Sequence, residues 1–252
     1  MFKTKTLLWW NCLFFLAVIA MNILAEAIPL GGAGTGELSK RYFTLLTPAG
    51  YAFMIWSLIY VLVGCSLVYL FRRKGSRDPW ITSYSLWFIP SCLLNMGWLL
   101  LWHYEYLVLS FIAMVLLLIS LAGLYRLTRT IERPTLGETW FLRLPFSLYT
   151  GWIVTATLVN LQVIIQHAGL FPGLAPSTSA IALLIIGAIA IILIGSMTRD
   201  GVLPLPVAWG FAAIAAKHYE EERILFFTAG LAAAILLAFA IGLLFIRARD
   251  RD

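Results

Sequence analysis

The chain has 252 residues, of which 62% are hydrophobic and 12% charged, with a formal net charge of +6. A soluble domain carries about 25% charged residues, so a single water-soluble globule is excluded and the excess apolar surface is assigned to lipid. The basic residues are scattered over short connections and do not gather on one soluble face, which excludes a nucleic-acid-binding surface.

A membrane-crossing helix needs about 20 apolar residues. The apolar runs predict eight spans, at 7–26, 49–71, 81–102, 105–125, 144–166, 178–197, 203–217 and 224–246. The first follows Lys3 and Lys5 and ends near Ala25-Glu26-Ala27, which has the form of a signal-peptidase site. Its length and its Asn11 and Asn22 favour a retained span over a cleaved signal. Asn11, Val18, Asn22 and Glu26 share one helical stripe. An asparagine in hydrocarbon is costly without a partner, so this stripe is expected to face other helices.

A glycine-rich connection, "PLGGAGTGELSKRY", follows. It lacks the spacing and context of a dinucleotide or phosphate loop and reads as a flexible connection over 27–48. Thr47 and Pro48 then mark a helix start, a side-chain oxygen for free N–H groups and a proline at the first helical position. In "TPAGYAFMIWSLIY" the residues Ala49, Phe53, Trp56 and Tyr60 are four, three and four apart and form one face. The third span repeats this pattern with Ser91, Asn95, Trp98 and Trp102, and the fifth with Tyr149, Trp152, Ala156 and Asn160 beside Thr155. Trp9, Trp10, Trp80, Trp102 and Trp140 lie near span ends and read as interfacial anchors. The stripes themselves admit two readings, helix packing or the wall of a pocket with a few orienting polar groups.

The sixth to eighth spans are rich in Ala, Ile and Leu, and Trp209 is the one tryptophan after residue 168. That shift predicts a functional unit over 1–168 and an additional bundle over 169–252. The run 203–217 opens with Pro204 and Pro206 and is short, tilted or re-entrant. With an N-terminus on the cytoplasmic side, the inner connections hold 14 Lys/Arg and six Asp/Glu, and the outer ones four Lys/Arg and six Glu. Such a bias places both termini in the cytoplasm. A multi-pass protein of the plasma membrane follows, with membrane lipids as neighbours.

Candidate chemistry is sparse. Cys12, Cys65 and Cys92 fall inside spans without metal spacing. His103, His167 and His218 sit at outer span ends. They read as interfacial polar residues rather than as a metal set. No hydrolase motif, mid-span lysine or mid-span carboxylate pair is present. The chain is therefore expected not to be an enzyme, with no metal and no certain cofactor.

"TPAGYAFMIWSLIY", "LNMGW" and "LYTGWIVTATLVN" together resemble the TspO/MBR family, the tryptophan-rich sensory proteins related to the mitochondrial translocator protein. Pro48, Phe53, Trp56 and Tyr60 stand in the family's second-span pattern. Leu94, Asn95 and Trp98 stand in its third-span pattern, and Tyr149, Trp152, Ala156, Thr157 and Asn160 in its fifth. Leu148 replaces a proline of that pattern, Pro48 is single where a pair is usual, and three spans follow the resemblance, which covers 7–166. The resemblance implies an all-α, polytopic helix bundle, a TspO-like five-helix unit plus about three C-terminal spans. It also implies an often dimeric assembly and a pocket under the 27–48 loop for porphyrins, sterol-like lipids or aromatic drugs. Since "RARDRD" lacks the sterol motif, a porphyrin or haem is the better expectation. The ligand-binding set is then Phe53, Trp56, Tyr60, Asn95, Trp98, Tyr149, Trp152 and Asn160, with a sensory or regulatory role. The rivals are a transporter of a lipid or small metabolite, an enzyme of light- or oxygen-dependent porphyrin breakdown, and a scaffold without ligand.

Overall fold

A computed structural model describes residues 2–28, 32, 35–73, 78–220 and 222–249. All elements among these residues are helical. In chain order they are α1 (Phe2–Ala27), α2 (Thr35–Arg41), a 3₁₀ turn (Gly50–Met54), α3 (Ile55–Arg72), α4 (Asp78–His103), α5 (Leu107–Arg129), α6 (Leu136–Glu138) with a π turn (Thr139–Arg143), α7 (Leu144–His167), α8 (Pro176–Thr198), α9 (Pro204–Lys217) and α10 (Arg223–Arg249). Among the described residues, seven helical stretches are long and apolar enough to cross a membrane, and the protein is a multi-pass membrane helix bundle. Part of the glycine-rich connection, residues 29–31, 33 and 34, and the side chain of Glu26 lie outside the described residues.

The eight-span expectation needs one correction. The run 203–217 forms α9, whose 14 residues extend about 21 Å, short of roughly 30 Å of hydrocarbon. It still reverses the chain. A Cβ on Gly201 would meet the carbonyl of Ala240, while one on Gly230 would meet Ala215, so α9 runs antiparallel to α10.

The chain forms two compact units. The first comprises Met1–Leu38 and Trp56–Phe146, the second Ser39–Ile55 and Ser147–Asp252. In the first, α4 packs against α1 and α5. Trp80, Tyr84 and Phe88 stack in succession along α4 at 5.6 and 5.2 Å, and Phe146 meets Tyr84 edge-on at 5.7 Å. Asn11 of α1 is fully buried and donates to Ser85 Oγ (2.9 Å), which donates on to the Ile81 carbonyl (2.9 Å). As expected, Asn11 and Val18 of the α1 stripe are buried, while Trp9, Leu13, Leu16 and Ile23 remain exposed. Pro90 inside α4 removes one helical N–H.

At one end of this unit, Thr135 and Glu138 form a reciprocal capping box, and Glu138 also pairs with Arg73. The Glu138 carboxylate accepts from the Thr135 N–H (2.8 Å) and hydroxyl (3.0 Å), and the guanidinium of Arg73 lies over the Trp80 ring. Trp80 is thus tied into this cluster. Trp102 corrects the interfacial reading more clearly, because it is buried, whereas Trp9, Trp10 and Trp140 are exposed.

In the second unit, α9 is buried on most of its surface and packs against α10 and α8. A Cβ on Gly151 of α7 would come within 2.4 Å of the Leu203 carbonyl oxygen and 2.6 Å of Pro206 Cγ, and one on Gly210 within 2.6 Å of Thr155 Cγ2. Small residues at successive turns bring the two backbones together, as lipid-embedded packing favours.

Two stability outcomes follow. Gly151→Ala has to push against a main-chain carbonyl and is expected to cost about 1–3 kcal/mol. Gly242→Ala, with nothing within 4 Å of the added carbon, should hold or raise stability. Thermal unfolding of both variants in detergent checks this. Glu138→Ala should destabilise by about 2–4 kcal/mol and by more than Arg73→Ala, because it strands the arginine and also removes the carboxylate half of the capping box; denaturation of the two single variants measures the difference.

Candidate functional site

Each of the three aromatic stripes begins from helix spacing, and the structure distributes them over the two units. Thr47 does not start a helix. Its hydroxyl accepts the Thr44 N–H (3.0 Å), and its own N–H donates to the Thr44 carbonyl (3.0 Å), closing a local turn. The chain then passes through the 3₁₀ turn, whose cap residue is Ala49, and α3 begins at Ile55. Pro48 cannot donate a backbone hydrogen bond, which is consistent with regular helix being delayed beyond it. Phe53 therefore lies in the 3₁₀ turn of the second unit, and Trp56 and Tyr60 lie on α3 of the first.

In the first unit, Trp56 and Tyr60 stack at 5.3 Å with 27° between their planes, and Phe15 of α1 meets Tyr60 edge-on at 6.4 Å. The Tyr60 hydroxyl is buried beside the side-chain amides of Asn95 and Asn22. Asn22 donates to Asn95 Oδ1 (3.3 Å) and to the Val18 carbonyl (2.9 Å). Asn95 is 2% exposed, so the pair joins α1 to α4 away from water. Trp98 follows Asn95 by one turn of α4 and is half-buried. The arrangement offers a flat aromatic face flanked by amide and hydroxyl groups in an apolar bundle. Such a lining can orient a flat apolar molecule by a few hydrogen bonds.

In the second unit, Phe53 stands edge-on to Trp152 at 6.2 Å and 89°. Trp152 and Tyr149 are buried, and Phe53 is exposed. Asn160 is buried, and its amide donates to the Ala156 carbonyl (2.9 Å). The Thr155 hydroxyl is buried with no hydrogen-bond partner among the described residues. Gln162 of the same helix reaches α8 through Ser179 Oγ (3.0 Å) and the Pro176 carbonyl (3.1 Å).

The structure thus gathers Trp56, Tyr60 and Asn95 in one unit and Phe53 and Trp152 in the other. Sequence reasoning left Asn22 and Phe15 out of the site. Asn22 had a usable signal, a mid-span asparagine in need of a partner; Phe15 had none among so many apolar neighbours.

Two of the three histidines also depart from expectation. His103 and His218 are buried. His103 Nδ1 is 2.7 Å from the Leu99 carbonyl and His218 Nε2 is 3.0 Å from that of Leu45; a carbonyl only accepts, so these nitrogens carry the protons. Among the described residues, no three His, Cys, Asp or Glu side chains form a group able to hold a metal. The three cysteines are free.

Neither a curated protein nor a solved structure matches the chain. A family model described as "TSPO-like protein" matches residues 8–242. The matched region runs past residue 166 and takes in α8, α9 and most of α10. The family is generally non-enzymatic. A membrane bundle with these aromatic faces, matched over nearly its full length, belongs to the TSPO-like family.

Proposed function

We propose that this TSPO-like protein binds a flat, hydrophobic, tetrapyrrole-like ligand through its aromatic stripes and acts as a membrane sensor or regulator. The observation that carries this reading is the cluster of the first unit. Trp56 stacked on Tyr60 presents π surface, and the Asn22–Asn95 pair beside the Tyr60 hydroxyl supplies donors and acceptors where lipid supplies none. Polar pairs also fix helix arrangement, but Trp56 and Tyr60 add a flat face beside the buried Asn95 that helix pairing alone does not need. Phe53, Tyr149, Trp152 and Asn160 form the corresponding set of the second unit, and Trp98 extends the face of α4. Porphyrin is the preferred ligand class because its macrocycle matches an aromatic face and its propionates match amide donors.

In this reading the protein lies in the plasma membrane with both termini cytoplasmic, α9 reversing the chain between α8 and α10. The support is the partition of 14 Lys/Arg onto one set of connections and four onto the other, the bias that orients membrane proteins.

The test is a titration of the detergent-solubilised protein with protoporphyrin, followed by quenching of tryptophan emission. Trp56→Leu and Trp152→Leu, each made singly, should weaken binding roughly tenfold, the equivalent of about 1.4 kcal/mol. Trp140→Leu, an exposed tryptophan outside both sets, should leave the affinity unchanged. Equal affinity in wild type and both site variants would refute the assignment.

A further inference from the structure

The segment from Tyr42 to Met54 is the longest stretch of non-α-helical backbone that leads directly into a spanning helix among the described residues. It is not a surface loop. Thr44, Leu46, Thr47 and Ala52 are buried. A buried irregular backbone needs partners for its N–H and C=O groups, all the more in a membrane protein. Those partners come from a helix that is far away in sequence.

Along α9, Trp209, Ala213 and Lys217 are each four residues apart and share one face. The segment runs along that face in the opposite direction. The Lys217 ammonium lies 4.4 Å above the Phe43 ring. His218, which follows, donates from Nε2 to the Leu45 carbonyl (3.0 Å). The Ala49 N–H donates to the Ala213 carbonyl (3.2 Å). The Trp209 indole N–H donates to the Ala52 carbonyl (3.1 Å), and its ring meets Tyr51 edge-on at 5.4 Å. At the far end, the imidazole of His167 in α7 stands against Tyr42 at 5.4 Å. Two of the four α9 contacts use a side-chain donor that sequence reading had assigned no function.

We infer that α9 is a built-in strap, through which Trp209 and His218 hold segment 42–54 in place and fix where Phe53 stands for a ligand. This gives the short α9 a task besides reversing the chain between α8 and α10. Its 14 residues are enough to present 209, 213 and 217 to the segment. Trp209 and His218 are positioning residues, since they act through the main chain of Leu45 and Ala52. The statement about Phe53 and a ligand rests on the function proposed above; the strap itself does not.

The test uses the full chain in lipid nanodiscs and follows deuterium uptake of peptides covering 42–54. Trp209→Phe keeps the ring and removes the donor, and His218→Phe removes the second donor. Each is expected to speed uptake in 42–54 several-fold, and the two together by roughly tenfold or more, with α4 and α5 peptides unchanged. His218→Gln retains a donor and should restore part of the protection. Unchanged uptake in the double variant overturns the strap, and so does an increase spread equally over α7, α8 and α10. Protoporphyrin association by stopped-flow quenching gives the second readout: an altered rate in the double variant supports the positioning of Phe53, and an unchanged rate overturns that part of the inference. Failure of the wild type to bind protoporphyrin would refute the ligand reading alone, since the exchange result still decides the strap.

Discussion

No water reaches the hydrocarbon of a bilayer, so each polar group the chain buries there must be met by another part of the chain. Three features of this protein follow from that constraint. Asn22 and Asn95 meet each other and join α1 to α4. Asn11 is met by Ser85, which returns its proton to the backbone of α4. The irregular segment 42–54 is met by α9, through two side-chain donors and one main-chain carbonyl. Apolar side chains make the bundle possible, but they do not distinguish one helix arrangement from another; these polar pairs do.

Close approach is the second determinant. Without a hydrophobic force between helices in lipid, packing depends on contact. Gly151 and Gly210 bring α7 and α9 together, with Leu203, Pro206 and Thr155 occupying the space that side chains would need. The segment lies on the same α9 that these glycines position, so the packing of the second unit and the placement of Phe53 share one support. In the first unit a comparable role falls to Gly123, whose missing side chain is replaced by the Trp87 ring.

Much of this was legible from residue types. Spans, the inward stripe of α1 and the family pattern all follow from apolar length and helical spacing. The helix start at Thr47 was not, because the cap signature also fits a local turn, and Thr47 uses its hydroxyl to close one with Thr44. The exposure of His103 and His218 was misjudged for a similar reason: position near a span end suggests an interface, yet His218 is drawn inward by the Leu45 carbonyl. Two helix ends also escape sequence rules. Glu105 and Arg199 take left-handed conformations, φ 61° and 49°, and close helices through paired bonds, Tyr106 to Leu101 with Glu105 to Trp102, and Asp200 to Gly195 with Arg199 to Ser196. Glycine is the residue expected there, so the sequence carries no mark of either stop. Trp209 shows the general limit, since a lone tryptophan among alanines discloses its partner only in three dimensions.

Under the proposed function, the Asn22–Asn95 pair and the Trp56–Tyr60 stack form a ligand-binding face rather than packing alone. Native mass spectrometry of the protein purified in mild detergent addresses this most directly, because it asks what the protein carries without presuming a ligand. A flat aromatic or tetrapyrrole mass that accompanies the wild type, and is lost from a correctly folded Asn95→Leu variant, is the predicted result. A wild type that carries lipid only, or a bound aromatic mass unaffected by Asn95→Leu, would contradict it.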